Sequence, residues 1–156
     1  MSMIGRVDIR IDRERSPDHL FPSWLKGEVV DPWVETLRSG EYSLDHLSAW
    51  YCATQESQFL TGVQIFEYVN SRTANSFASL NDGHALQGLG LKFIEKFGRD
   101  KEYVLWGTVV RANSDIWVPI IYGAQRTDEV FILWDNLKND SFGKNRPALR
   151  FTAPGN

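Results

Sequence analysis

The length, composition and charge of the chain indicate one globular domain, residues 1–156, and exclude several classes of protein. The chain is 42% hydrophobic and 24% charged, which is ordinary for a folded domain, so disorder is not expected. The formal net charge of −3, from 17 basic and 20 acidic residues, provides no long-range attraction to nucleic acid or to an anionic membrane.

The first predicted elements are a strand, a loop and a short helix. Residues 5–12 alternate apolar and charged side chains, which predicts a strand with one buried face at the edge of a sheet. Residues 13–27 contain two prolines and three isolated bulky residues, a composition typical of an irregular loop. Asp31 suits the N-cap of a helix, Pro32 its first position and Gly40 its end. We therefore expect a short helix between Asp31 and Gly40.

A second helix and a segment of ambiguous periodicity come next. Ser43 suits the N-cap of this helix, and one apolar face follows it at helical spacing. That face consists of Leu44, Leu47, Trp50 and Tyr51. Between Gln55 and Ser71 the apolar spacing fits either a helix or a strand, and we favour the helix. Residues 72–82 are mostly polar and rich in turn formers, which predicts an exposed loop.

The strongest helical pattern covers residues 84–97. Leucine and phenylalanine side chains mark one face of it, Asp82 can cap its start, and Gly98 can end it. Gly88 and Gly90 lie inside this pattern, and each costs up to about 1 kcal/mol relative to alanine in a helix interior. Either the helix begins late or a neighbouring element approaches closely at these glycines.

Three segments near the C-terminus have the composition of strands. Residues 102–112, 115–123 and 129–135 are rich in Val, Ile, Tyr, Phe and Trp, and turn-forming residues separate them. Both faces of the first and third segments are apolar, so we expect a sheet covered on both sides. Pro119 lacks an N–H donor, which favours an edge position or a bulge at that point. The three segments together predict an antiparallel meander.

These elements predict an α+β domain. A polar loop at residues 138–147 leads to a short last strand at residues 148–152, so the meander has three or four strands. We expect an antiparallel sheet, made of this meander and the N-terminal edge strand, packed by three or four helices. The order of helices followed by a meander is similar in architecture to the cone-shaped fold of nuclear transport factor 2, from which the N-terminal strand departs. No motif carries this resemblance.

The reactive residue types give no catalytic or metal-binding signature. Cys52 is the one cysteine, which excludes an intramolecular disulfide and fits the reducing cytoplasm. His19, His46 and His84 lack metal-ligand spacing, and no phosphate-binding loop is present. No apolar run has the length of a signal peptide core or a membrane span. We expect a cytoplasmic protein without metal or cofactor.

Aromatic residues provide the first candidate site. Aromatics make up 13% of the chain, including six tryptophans. Phe21, Trp24 and Trp33 lie in or beside the loop-rich N-terminal segment, and aromatics in such positions are typical anchors of protein interfaces. One further tryptophan falls in each main strand, at positions 106, 117 and 134, and these favour core packing over a platform for a planar ligand.

A second candidate site is a pocket bordered by charged residues near the strand ends. Asp115 and Asp135 could work as a paired acid and base, and Arg111 could bind an anionic ligand. For each of the three, a structural ion pair or a solvated surface position is the more common role.

The leading hypothesis is a non-enzymatic protein-binding module, such as a small bacterial, phage or viral inhibitor, immunity or assembly protein. Its support is the set of loop aromatics and the lack of any catalytic motif. The alternative is a small pocketed enzyme or ligand-binding protein with an architecture similar to the nuclear transport factor 2 class. Nucleic-acid binding by stacking needs a basic groove that the sequence does not show. The two-sided apolar strands also make a homo-oligomer plausible.

Overall fold

The computed structural model describes residues 8–11, 17–29, 40–52, 54–70, 77–139 and 142–151. The strands in these ranges are β1 (Asp8–Ile11), β2 (Glu28–Val29), β3 (Gly40–Ser43), β4 (Leu47–Trp50), β5 (Tyr103–Val104), β6 (Val110–Ala112), β7 (Asp115–Gly123), β8 (Val130–Asn136) and β9 (Ala148–Phe151). The helices are α1 (Gly62–Asn70), α2 (Leu80–Gln87) and α3 (Leu91–Phe97), with 3-10 turns at Pro17–Leu20 and Leu44–His46. This content confirms the α+β class.

The main sheet is organised around β7. One edge of β7 pairs with the whole of β8, and the other edge pairs with β6 and then with β5. β2 pairs with β6, while β9 lies between β5 and β4. The pairing of β5 with β9 at Val104 and Ala148 is parallel, and the other pairings are antiparallel. The prediction of a purely antiparallel sheet is therefore wrong, because the chain crosses over after β5 and returns at β9 in the same direction.

The predicted N-terminal strand forms, but it does not join the edge of the main sheet. β1 pairs antiparallel with β3 in a separate two-stranded sheet, with Ile9 opposite Tyr42. An alternating pattern records that one face of a strand is buried, but it does not specify the neighbouring strand. The predicted edge position is therefore wrong. The helix predicted from Asp31 falls on residues 30–39, which lie outside the described ranges, and Gly40 begins β3.

The predicted strand over residues 102–112 is divided into β5 and β6. Val104 pairs with Ile120 and Val110 with Trp117, so residues 105–109 lie opposite only residues 118 and 119. Pro119 has no N–H to donate at this point, and its carbonyl accepts a bond from the Leu105 amide at 2.9 Å. The missing donor explains why the partner chain leaves the ladder here. Pro119 was predicted to mark an edge position or a bulge; the edge position is wrong, because β7 has partner strands on both edges, and the extra residues lie in the segment opposite Pro119.

The departing segment 105–109 reaches the start of α2. The Gly107 amide donates to the Ala78 carbonyl at 2.9 Å, and the Thr108 hydroxyl accepts from the Leu80 amide at 2.9 Å. Ser79 caps α2 in a reciprocal capping box with Asp82. The interruption of the strand thus fixes the position of α2 over the sheet.

The predicted helix after Ser43 is wrong. Ser43 does cap a turn, because its side chain accepts from the Asp45 amide at 3.2 Å, but the turn ends at His46. β4 follows and pairs with β9, with Leu47 opposite Phe151. The apolar residues have helical spacing, but this local preference is weak and the pairing of β4 with β9 overrides it. The helix favoured between Gln55 and Ser71 is confirmed over its second half as α1.

The strongest predicted helix is broken into α2 and α3. Gly90 has a φ of 56°, which an L-residue rarely adopts, and the chain turns at Gly88–Gly90. Gly98 ends α3 with a φ of 80°, as predicted. Gly88 and Gly90 therefore mark a corner between α2 and α3. The sequence pattern did not distinguish such a corner from a helix that begins after these glycines.

Both faces of the sheet are covered, as the two-sided apolar strands predicted. One face packs against α2 and α3, where Leu86 and Phe93 are fully buried. The opposite face packs against α1 and the segment around Phe142. Trp106 lies on this second face, is 1% exposed, and stacks on Phe66 with ring centroids 6.3 Å apart. No helix in the described ranges is long and apolar enough to cross a membrane.

Candidate functional site

The segment of residues 21–27 packs against β6, β7 and β8 on the side of the sheet that carries α2. Leu25 is 3% exposed and packs against Val110 and Ala112. The Leu25 amide donates to the Pro22 carbonyl at 3.0 Å, which closes a tight turn between them. This buried leucine holds the exposed part of the segment in a fixed position.

A close approach of backbones also fixes the segment. A Cβ atom at Gly27 would lie 2.1 Å from the Arg111 carbonyl oxygen, so only glycine fits there. The next residue, Glu28, pairs with Arg111 as the first residue of β2. The segment is therefore attached to the sheet at both Leu25 and β2.

Four aromatic side chains form the surface that this segment makes with the sheet. Trp24 is 56% exposed and rests edge-on against Trp117, with ring centroids 5.1 Å apart at 68°. Phe21 rests edge-on against Trp134, with centroids 5.5 Å apart at 79°. We call Phe21, Trp24, Trp117 and Trp134 the aromatic surface. Edge-to-face pairs orient the rings, so an indole is presented to solvent in a fixed orientation.

A cleft adjoins the aromatic surface at Trp134. Its volume is about 220 Å³, and it lies between α2, β8 and the chain at residues 20–22. The lining residues are Leu20, Pro22, Leu80, His84, Gln87, Ile132 and Trp134. None of them is an acid, a lysine or an arginine, so the cleft favours an uncharged group. The Gln87 amide nitrogen donates to the Val130 carbonyl at 3.0 Å, which joins α2 to β8 at one end.

The predicted charged pocket does not come together. Side chains alternate along strands, and the register places Asp115 on the α2 side of the sheet and Asp135 on the α1 side. Arg111 is exposed on β6 and lies on the same side as Asp135, but β7 separates the two strands. Asp115 forms an ion pair with Lys138 at 2.8 Å. The hydrogen bond from Lys138, with a second from Asn136, lowers the pKa of Asp115.

Asp135 belongs to a partly buried ionic network that the sequence did not reveal. Arg146 bonds to Asp135 with one guanidinium nitrogen and to Glu102 with another, the latter at 2.8 Å. The guanidinium also lies 5.1 Å from the centre of the Phe142 ring. These contacts hold the loop before β9 against the sheet. Arg146 is 44 positions from Glu102, and no local pattern connects two residues so far apart.

The remaining reactive groups lie apart from one another. Cys52 is buried on the α1 side of the sheet, where its amide donates to the Gln55 side chain at 3.0 Å, and His84 is exposed at the cleft on the other side. Cys52 and His84 therefore lie on opposite sides of the sheet and do not meet. In the described ranges, no group of three or more His, Cys, Asp or Glu side chains is placed to hold a metal ion.

The predicted aromatic anchors are partly located by the structure. Phe21 and Trp24 lie on one surface, while Trp33 is outside the described residues. Trp117 and Trp134 are half-buried beside them, whereas Trp106 is on the opposite face, so the three strand tryptophans make no common platform. Trp134 is less buried than expected, because in the described ranges β8 has a partner strand on one edge and not on the other. The cleft was missed, because its lining comes from three separate parts of the chain.

The candidate site therefore consists of the aromatic surface and the adjoining cleft. Comparisons of the chain with protein-family models, with curated proteins and with solved structures found no match.

Proposed function

We propose that this protein is a non-enzymatic protein-binding module that holds its partner through the aromatic surface. The observation that carries the proposal is Trp24, a tryptophan that is 56% exposed although the segment around it is fixed by Leu25. Tryptophan is among the residue types most enriched in the dominant contacts of protein interfaces. A partner that covers this ring gains apolar burial and loses little conformational entropy, because the ring is already held in place.

The cleft supports protein binding over small-molecule chemistry. Its volume of about 220 Å³ is below the range of roughly 300–1,000 Å³ typical of small-ligand pockets, but it suits one side chain of a partner. Its lining contains no pair of titratable groups for acid and base catalysis. The strand-end carboxylates Asp115 and Asp135 are engaged in ion pairs on opposite faces of the sheet.

The test combines affinity capture with a binding measurement on the purified pair. The full chain captures its partner from cells of the native host, the partner is identified by mass spectrometry, and titration calorimetry measures the complex of the two purified proteins. We expect Trp24→Ala to weaken binding by at least about 2 kcal/mol, or roughly 30-fold, as for other interface anchors. Phe59→Ala is the matched control, because Phe59 is 68% exposed but contacts the Gly143 loop on the other side of the sheet.

Two results would contradict the proposal. Equal affinities of wild type and Trp24→Ala for every captured protein would exclude the aromatic surface as the binding site. An activity on a small molecule that Arg111→Ala or Asp135→Ala abolishes, and that Trp24→Ala leaves intact, would favour the pocketed enzyme instead.

A further inference from the structure

The outer edge of β8 presents a row of backbone groups. β8 pairs with β7 along one edge, and no strand in the described ranges pairs with its other edge. The Glu129 carbonyl accepts from Ala124 and the Leu137 amide donates to Ile116, both at 2.9 Å, so odd-numbered residues direct their backbone groups at β7. The even-numbered residues of β8 therefore direct theirs outward, because the direction alternates along a strand.

Two consecutive outward positions on this edge are open. The Val130 carbonyl is bonded to Gln87, and the groups at Asn136 take part in the turn that follows β8. Between them, no partner in the described ranges bonds to the outward N–H and C=O of Ile132 or of Trp134. Leaving such groups buried and unpaired is costly, so a strand that bonds to them would be favoured.

Between Val130 and Trp134 this edge carries few of the features that normally prevent pairing with another chain. Proteins protect edge strands with charged side chains, prolines, bulges or covering segments. Residues 130–134 are Val, Phe, Ile, Leu and Trp in sequence, and the ladder to β7 runs through them without a bulge. An apolar, regular and unpaired edge of this kind is a template for an added strand.

The cleft provides the specificity that an open edge alone would lack. The side chains of Ile132 and Trp134 line the cleft together with Leu80 and His84 of α2. A strand added to β8 would lie about 4.8 Å from it, and every second side chain would point to the α2 side. The cleft holds about 220 Å³ and no charged lining residue, so it matches one uncharged apolar side chain.

We propose that the partner binds as an extended peptide segment that adds a strand to the outer edge of β8 at Ile132 and Trp134. One uncharged, apolar side chain of the segment fills the cleft beside α2. This inference rests on the proposed function, because it states the form in which the partner binds. The aromatic surface continues the contact, since Trp134 belongs to both the cleft and the surface.

A second copy of this chain fits the edge less well than a single segment does. A stable dimer buries roughly 1,200–2,000 Å² in total, whereas the open part of this edge is two outward residues long. Residues 20–22 and α2 border the cleft beside that edge, which leaves space for one strand rather than for the end of another sheet.

The experiment uses random linear peptides displayed on phage as the probe and the full chain as the target. Peptides enriched on the wild-type protein are synthesised, and amide hydrogen exchange is followed by NMR with and without saturating peptide. We expect the exchange of the Ile132 and Trp134 amides to slow by about tenfold or more. The Leu133 amide, which faces β7, is the internal reference and should not change.

A variant tests the same edge independently. In Ile132→Pro the outward N–H is removed while the bonds from β8 to β7 remain, and peptide binding should weaken about tenfold or more. Ile132→Val keeps the N–H and an apolar side chain, so it should bind like wild type. The exchange measurement on the wild-type protein decides the matter if the proline variant does not fold.

Three outcomes would overturn the inference. Enriched peptides could leave the exchange of both amides unchanged, or no peptide could be enriched on wild type relative to Ile132→Pro. Alternatively, both amides could be protected without peptide in a protein that sediments as a dimer. The proposed function fails separately, when Trp24→Ala leaves the affinity for the captured partner unchanged. A partner whose binding depends on Trp24 but does not protect Ile132 and Trp134 would retain the function and remove the added strand.

Discussion

Trp24 and Trp106 have the same side chain in opposite surroundings. Trp106 is 1% exposed and packs between Phe66 and Phe142, with ring centroids 6.3 and 6.1 Å away. Trp24 is 56% exposed and contacts the aromatic ring of Trp117. The first indole stabilises the core, while the second is available to a partner. The two can be separated by measuring stability and binding on the same variants.

The first prediction compares these two tryptophans. Trp106→Ala should lower the free energy of unfolding by about 3–5 kcal/mol, because it removes a large buried side chain and leaves a cavity. Trp24→Ala should lower it by at most about 1 kcal/mol, the value of one aromatic pair near the surface. Denaturant unfolding of both variants provides the measurement. A loss below about 1 kcal/mol for Trp106→Ala would contradict its burial.

The second prediction concerns the pH dependence of stability at Tyr103. Its hydroxyl donates to the Phe97 carbonyl at 2.9 Å. Burial, together with Asp100 and Tyr51, raises the pKa of Tyr103 to about 12 from an ordinary value of 10.0. A raised pKa in the folded state means that the contribution is fully present below about pH 10 and is lost between about pH 10 and 12.

Tyr103→Phe tests this dependence. Urea unfolding from about pH 8 to about pH 12 should show a smaller loss of stability at high pH for the variant than for wild type, because phenylalanine has no proton to lose. The difference between the absorbance titrations of the two proteins gives the pKa of the phenol directly. Equal slopes above about pH 10 would mean that the phenol ionises as it does in the unfolded chain.

The corner between α2 and α3 depends on one of its two glycines. Gly88 has helical angles, φ −68° and ψ −15°, and a Cβ there would make an ordinary contact at 3.4 Å from the Ala85 carbonyl. Gly90 has φ 56° and ψ −120°, and its Cβ would lie 3.2 Å from the Asp128 carbonyl. Only the second position requires glycine.

The third prediction follows from this difference. Gly90→Ala should lower the free energy of unfolding by about 1–3 kcal/mol, the cost of placing an L-residue in strained angles. Gly88→Ala is the matched control and should raise it by about 0.4–1 kcal/mol, because alanine reduces the entropy of the unfolded chain. Thermal or urea unfolding of the two variants is sufficient. Equal effects at both positions would argue for one continuous helix.

The elements that could be predicted from the sequence are those whose signal is local. β7 begins and ends where the alternation of Asp115–Gly123 predicted, and the turn before it uses Asn113, which has a φ of 58°. The helical spacing after Ser43 was misleading, because β4 is held by its pairing with β9 about a hundred residues further on. Pro119 indicated an irregularity but not which strand would be interrupted.

Only the part of the candidate site that has a local signal could be predicted from the sequence. Trp24 was identified because aromatic residues in a Pro-containing, loop-rich segment are of the type enriched as interface anchors. The cleft and the open edge depend on strand order, which places β8 outermost and α2 beside it. Strand order is set by contacts between distant residues, so a single sequence does not contain it in a readable form.

The fourth prediction concerns self-association of the protein. The two apolar faces of the sheet, which made a homo-oligomer plausible, are covered by α1 on one side and by α2 and α3 on the other. We therefore expect a monomer of 17.9 kDa at micromolar concentration in sedimentation experiments. A stable dimer would mean that an edge or surface, rather than a face of the sheet, carries the contact.

The position of β9 has a consequence for synthesis of the protein. β9 follows every other described element in the chain, yet it lies inside the sheet, between β5 and β4. Until residues 148–151 have left the ribosome, β4 has no neighbour on the side that β9 will occupy, and the nascent sheet has additional open edges. Such edges pair with other chains. We therefore expect the chain to aggregate more readily before β9 is in place than afterwards, and ribosome pausing just before β9 would lengthen that period.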